Sequence, residues 1–107
     1  MNESPALYAL RRHYGLTRGR MQALIKLNDM GAMEVLPSYS VYADTVGGVY
    51  RRNLTPTYAE VLEDLGYAMI LELPIGSPQG GVRRHARITH LGSQVAEELE
   101  KAMSSKK

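Results

Sequence analysis

The sequence predicts an α+β fold, and three observations support this class. Four segments carry helix-capping residues followed by apolar residues at helical spacing. Between the last two of these segments, two short runs with strand character flank a loop rich in glycine and proline. The length of 107 residues suits one domain, which we expect at residues 1–103, followed by a disordered tail at 104–107.

The first half of the chain predicts two helices and leaves one segment open. A helix over 5–14 is followed by a second helix over 18–30, for which Thr17 is placed as the N-terminal cap. Residues 33–53 begin with a short extended piece. The rest of that segment is compatible with either a capped helix or an alternating strand.

The second half predicts a helix, a β-hairpin and a final helix. Thr55 precedes a proline at the first position of a helix that ends before Gly66. Residues 67–73 and 82–88 form the two strands of the hairpin. Thr89 then caps the last helix, whose apolar residues make one stripe.

The second strand of this hairpin alternates between an apolar and a basic face. Side chains two apart along a strand share a face, so Val82, Ala86 and Ile88 lie together. The opposite face carries three basic residues: Arg83, His85 and Arg87.

Charge is distributed unevenly along the chain, although the net charge is only +2. Lys and Arg are absent from residues 54–81, which carry four acidic residues. Three basic clusters lie outside that stretch: Arg11-Arg12-His13 with Arg18 and Arg20, Arg51-Arg52-Asn53, and Arg83-Arg84-His85 with Arg87. Such clusters either track phosphates or form solvated faces.

Several functional classes are excluded or disfavoured by composition. Because the chain has no cysteine, it has no disulfide, zinc finger or thiolate nucleophile, which is compatible with the cytoplasmic location that we expect. No apolar run is long enough for a membrane span, so we expect no membrane contact. The histidines lack metal-site spacing, and no serine has a histidine and an acid at motif spacing. We therefore expect no metal, no cofactor and no enzymatic activity.

Tyrosine is the only large aromatic residue in this chain, since Phe and Trp are absent. Some of the seven tyrosines must therefore supply the aromatic part of the core. We expect Tyr58 and Tyr67 in the core, and we regard Tyr8 and Tyr14 as candidates for a dimer contact.

Two local motifs on either side of the predicted hairpin carry a resemblance to a known family. They are Val61-Leu62-Glu63-Asp64-Leu65-Gly66-Tyr67 and Ile88-Thr89-His90-Leu91-Gly92. The first resembles the end of the recognition helix in winged-helix DNA-binding regulators of the MarR and PadR kind. The second resembles the connection from the wing of these regulators to their last helix. The resemblance implies a winged helix-turn-helix with a two-stranded β-wing and N- and C-terminal helices.

This resemblance implies a DNA-binding protein, expected to be a transcriptional regulator whose partner is double-stranded DNA. The candidate DNA-binding residues are Arg51, Arg52, Asn53, Thr55, Thr57, Arg83, Arg84, His85 and Arg87. A homodimer through the terminal helices is also expected. The apolar residues from Leu91 to Met103, with Leu7, Tyr8 and Leu10, exceed what one small core requires.

An alternative function follows from the acidic residues of the presumed recognition helix. Glu60, Glu63 and Asp64 suit a basic protein partner better than a phosphate backbone. The same fold would then serve as a protein-binding adaptor or inhibitor without DNA binding, for instance one encoded by a mobile element.

Overall fold

A computed structural model describes residues 3–35, 49–50, 53–74 and 82–104. Several predicted features lie outside the described residues: Arg51 and Arg52, the glycine-rich loop of the hairpin, and the last three residues of the expected tail. The same holds for most of the segment that the sequence leaves open.

The described part of the chain is an α+β structure with four helices and five strands. In chain order these are α1 (Pro5–His13), α2 (Arg18–Met30), β1 (Ala32–Val35), β2 (Val49–Tyr50), β3 (Asn53–Leu54), α3 (Pro56–Asp64), β4 (Ala68–Pro74), β5 (Val82–Ile88) and α4 (His90–Ser104). All four predicted helices and the predicted hairpin strands are confirmed. Ser104, expected in the tail, is instead the last residue of α4.

The strands form one sheet in the order β2-β3-β1-β5-β4. Its main part is antiparallel, with β5 between β1 and β4. The short strand β3 pairs parallel to β1, and β2 pairs antiparallel to β3. The sheet therefore joins the predicted hairpin to the segment that follows α2.

The register divides the three-stranded part into two faces. Met33 pairs with Ala86, which also pairs with Ile70, and Met33 and Ala86 are buried. We call this side the inner face, because α2 packs against β1 and β5 there, and α3 against β4. Strand side chains alternate, so the residues between these positions lie on the opposite, outer face.

The hydrophobic core lies between the inner face and the helices. Its largest fully buried side chains come from α2, α3 and α4 and from the strands β1 and β3. They are Leu24, Leu27, Met33, Leu54, Leu62, Val95 and Leu99. Removing methyl groups from such sites in other proteins costs several kcal/mol, so these residues hold the helices on the sheet.

Side-chain caps begin α1 and α2. Ser4 Oγ accepts a hydrogen bond of 3.1 Å from the backbone N–H of Leu7. Thr17 Oγ1 accepts one of 3.2 Å from the N–H of Arg20, which confirms the predicted cap. Thr55 stands at the N-cap of α3, as predicted, but in the described part of the chain its hydroxyl makes no capping hydrogen bond.

Thr89 joins the start of α4 to the turn between α3 and β4. Its hydroxyl accepts a 3.0 Å hydrogen bond from the N–H of Gly92 and donates a 2.7 Å bond to the carbonyl of Gly66. Its own N–H donates to the carbonyl of Tyr67 at 3.1 Å. Gly66 has a φ of +84°, a left-handed conformation that favours glycine. The backbone conformation therefore accounts for the glycine of the first motif, and the hydrogen bonds of the hydroxyl account for the threonine of the second.

The backbone of Gly92 lies so close to the same turn that there is no room for a side chain at this position. A Cβ atom at Gly92 would overlap the backbone carbonyl oxygen of Tyr67 and lie 2.9 Å from Cδ1 of Ile88. Glycine is therefore required for α4 to begin where it does.

Arg11 has a structural role, which differs from the basic patch expected around it. The residue is only 8% exposed. Its Nε and Nη2 donate to the two carboxylate oxygens of Glu3 at 2.8 and 2.9 Å, and its Nη1 donates to the carbonyl of Leu16 at 2.9 Å. These bonds hold the α1–α2 turn to the N-terminus. Arg12, in contrast, is exposed and bonds to the hydroxyl of Tyr8.

Two tyrosines link α1 to the rest of the core. Tyr67 is buried, as predicted, and its hydroxyl donates to the carbonyl of Tyr14 at 2.8 Å. The hydroxyl of Tyr14 donates to Oε1 of Glu98 on α4 at 2.7 Å. Tyr14 is thus engaged within the chain, whereas Tyr8 stays exposed. Tyr58 is partly buried and packs against the core.

The terminal helices pack on each other within one chain. Leu7 of α1 is buried, together with Val95 and Leu99 of α4. Much of the apolar stripe from which a dimer was expected is therefore covered inside the chain. Leu91 and Met103 are the large apolar residues of α4 that remain exposed.

The two bonded tyrosines predict an alkaline loss of stability. The hydrogen bond to Glu98, with burial, raises the pKa of Tyr14, and burial raises the pKa of Tyr67. The folded state therefore favours the neutral phenols. Their contribution is complete below the unfolded pKa of about 10, and it is lost as the pH rises through the higher folded values.

This loss is measurable by thermal denaturation followed by circular dichroism at about pH 8, 10 and 11. The melting temperature of the wild type should fall more steeply above pH 10 than that of Tyr67→Phe, which has no phenol to ionise at that site. An identical fall in both proteins would contradict this role of Tyr67.

Candidate nucleic-acid interface

Helix α3 presents a polar face to solvent because its apolar residues are used in the core. Ala59 and Leu62 are fully buried. Thr57 and Glu60 are exposed, as the resemblance implies for the side of a recognition helix that meets DNA. Nine residues are enough to cross a major groove with two turns of helix.

Arg84 is the basic residue of β5 that lies next to α3. Alternation places it on the inner face together with Ala86. Its side chain is 31% exposed, and its Nη2 lies 3.8 Å from Oε2 of Glu60. The guanidinium therefore borders the exposed face of α3.

The other three basic residues of β5 lie on the outer face, away from α3. Arg83 is 62% exposed, with its Nε 3.8 Å from Oε2 of Glu34. Arg87 is exposed, and His85 is partly buried. Nδ1 of His85 is buried and has no hydrogen-bond partner among the described residues. The predicted set of four is thus divided between two faces, and one flat surface cannot include all of it.

The start of α2 contacts a side chain of α3. A Cβ atom at Gly19 would overlap the hydroxyl of Tyr58, so the tip of this α3 side chain lies against the α2 backbone at that glycine. Arg18 and Arg20 flank it, the first exposed and the second partly buried. These two arginines were not among the predicted DNA-binding residues.

The remaining predicted residues precede α3. Thr55 is partly exposed, and its hydroxyl is not used to cap the helix within the described chain. Asn53 belongs to β3, but its side chain lies outside the described part, as do Arg51 and Arg52.

Two of the three carboxylates on α3 interact within the chain. Glu60 is close to Arg84, as described above. Oε2 of Glu63 accepts a 3.1 Å hydrogen bond from the backbone N–H of Ile70 in β4. Asp64 is exposed. All three residues nevertheless remain exposed, so the acidic face expected for a basic protein partner stays accessible.

Within the described residues, no three His, Asp or Glu side chains converge into a possible metal site. No helix of the described part is both long and apolar enough to span a membrane. A comparison with protein-family models, curated proteins and solved structures finds no match for this chain.

Proposed function

We propose that this protein is a winged-helix transcriptional regulator that binds double-stranded DNA. In this proposal α3 enters the major groove, and β4 and β5 are the strands of the wing. The observation that carries the proposal is the position of the Arg84 guanidinium beside the exposed Glu60 of α3, a helix that also exposes Thr57.

The exposed groups of α3 and β5 match the chemistry of a DNA groove. A threonine hydroxyl bonds to base edges, and a glutamate accepts from the amino group of cytosine. Arg84 supplies charge for a phosphate. Its exposed contact with Glu60 contributes at most about 1 kcal/mol, so a phosphate competes with that carboxylate for the guanidinium.

The homodimer belongs to this proposal as well. Leu91 and Met103 leave apolar surface exposed on α4, and Tyr8 does so on α1. A two-fold related pair would present two α3 helices to successive half-sites about 34 Å apart.

Arg84→Ala should weaken DNA binding in a salt-dependent way. A single lost phosphate contact lowers the salt slope of the binding constant by about 1 and affects all sequences alike. Fluorescence anisotropy with a labelled duplex of mixed sequence, titrated between about 50 and 200 mM NaCl, measures this slope. Lys101→Ala, which removes an exposed cation near the end of α4, is the matched control and should leave the slope unchanged.

This experiment distinguishes DNA binding itself from the role of Arg84 in it. If the wild type fails to bind any duplex at low salt, DNA binding is wrong. If the wild type binds and Arg84→Ala keeps the full slope, DNA is a partner but Arg84 does not face it.

A further inference from the structure

The outer face of the sheet carries an apolar column beside a basic one. The apolar column runs along β4, and the basic column runs along β5. The directly opposed pairs are Met69 with Arg87, Leu71 with His85, and Leu73 with Arg83. Opposed side chains on antiparallel strands are about 5 Å apart, so each apolar residue has a basic neighbour.

This face is open in the described structure. Met69 is 52% and Leu73 is 47% exposed, although both belong to a regular strand. Arg83 is close to one carboxylate, that of Glu34, and Arg87 makes no ion pair with any described residue. Exposed aliphatic side chains next to an arginine that has no described ion pair are typical of a surface that a partner covers.

We propose that the outer face docks an acidic amphipathic helix of another protein. The apolar side of that helix would cover Met69, Leu71 and Leu73, while its carboxylates would meet Arg83 and Arg87. This surface is separate from α3, and the proposal does not depend on DNA binding.

The spacing of the two columns suits a helix. Four residues along a strand span about 13 Å, which is the distance from Met69 to Leu73 and from Arg83 to Arg87. Eight residues of a helix rise about 12 Å. Apolar residues at i, i+4 and i+8 therefore match the apolar column. Two carboxylates about eight positions apart on the flank of the same helix match the two arginines.

A nucleic acid or a second copy of the chain fits this face less well. The column along β4 is aliphatic and offers no aromatic ring on which a base could stack. Duplex phosphates would pair with the arginines but leave Met69 and Leu73 uncovered. A second copy would have to cover the column with its own exposed apolar residues. On α4 these are Leu91 and Met103, which lie about 18 Å apart along the helix, whereas the column is about 13 Å long.

The test uses a designed peptide as the probe. It is a labelled helical peptide of about 20 residues with leucine at i, i+4 and i+8 and glutamate on one flank. One control peptide has the leucines in shuffled positions, and another has lysine in place of glutamate. Binding to the full chain is followed by fluorescence anisotropy, and the contact surface is mapped by amide chemical-shift changes.

The acidic peptide should shift amides of β4 and β5 and should bind at least about tenfold more tightly than the shuffled peptide. Arg83→Glu with Arg87→Glu should weaken it by a similar factor and should instead favour the lysine peptide. Met69→Ser with Leu73→Ser should weaken both peptides. Arg12→Glu reverses an exposed arginine on α1 and is the matched control, which should leave binding unchanged.

Several results would overturn this assignment. The first is equal binding of the acidic and shuffled peptides. The second is a variant with both Arg83→Glu and Arg87→Glu that loses duplex binding but keeps peptide binding. Recruitment to phosphatidylserine vesicles through those arginines would identify a lipid surface instead. Light scattering that shows a dimer lost on Met69→Ser would identify an interface between copies.

Discussion

Gly92→Ala is expected to destabilise the folded chain by about 3 kcal/mol, because the added methyl group overlaps the carbonyl oxygen of Tyr67. That carbonyl belongs to the backbone, so the overlap cannot be relieved by rotating a side chain. Intrinsic helix propensity acts in the opposite direction, since alanine in a helix is favoured over glycine by about 1 kcal/mol. The sign of the change therefore shows whether close packing or propensity decides at this position.

Urea denaturation followed by circular dichroism measures the effect on the free energy of unfolding. Ser93→Ala, at the next position of α4, should change that free energy by no more than about 0.5 kcal/mol. A Gly92→Ala protein that is more stable than the wild type would mean that α4 does not approach the Tyr67 carbonyl in solution.

Arg11→Met is expected to cost about 3 kcal/mol, whereas Arg12→Met should cost about 0.5 kcal/mol or less. The two arginines are neighbours in the sequence and differ in what they contact. Loss of the Arg11 guanidinium leaves the carboxylate of Glu3, whose side chain is 11% exposed, without its two donors. It also removes the donor to the carbonyl of Leu16. Equal effects of the two substitutions would show that Arg11 is an ordinary surface residue.

The pH dependence gives an independent check on the same pair. The hydrogen bond from Arg11 lowers the pKa of Glu3. The ion pair therefore contributes its full stability above the unfolded pKa of about 4.3, and this contribution is lost as the pH falls through the lower folded value. The difference in stability between wild type and Arg11→Met should shrink over that acidic range.

The helices could be predicted from the sequence because their boundaries depend on residues within one turn. Thr17 bonds to the N–H three residues on, and Thr89 does the same at the start of α4. A proline at the first position and a glycine after the last turn are equally local signals. The alternation that separates Arg83 and Arg87 from Ala86 is local too, and it holds in β5.

The interactions that were missed are those that join residues beyond one helical turn or strand pair. Charge counting places Arg11 in a surface cluster, because its buried position depends on how Glu3 and the Leu16 carbonyl meet it in space. The parallel pairing of Val35 with Leu54 is likewise invisible to local patterns. Such contacts depend on the packing of whole elements rather than on a sequence motif.

The candidate interface was predicted in part. The outward position of Thr57 and the inward position of Leu62 follow from helical spacing and are confirmed. Sequence adjacency groups Arg84 with the other basic residues of β5, whereas the alternation of a strand places it with Ala86. Alternation alone would have assigned Arg84 to the side of α3. The contact between Gly19 and the hydroxyl of Tyr58 joins α2 to α3, and no local rule gives it.

The hydrogen bond between Glu63 and Ile70 bears on how the protein behaves at high concentration. In the described sheet β4 is an edge strand, and an unpaired edge is a template on which strands of other molecules can add and grow into aggregates. Glu63 occupies the amide that Ile70 would offer to such a strand, and Pro74 has no amide hydrogen to offer. The C-terminal turn of α3 thereby removes one of the positions at which another strand could pair with β4, and Pro74 removes a second.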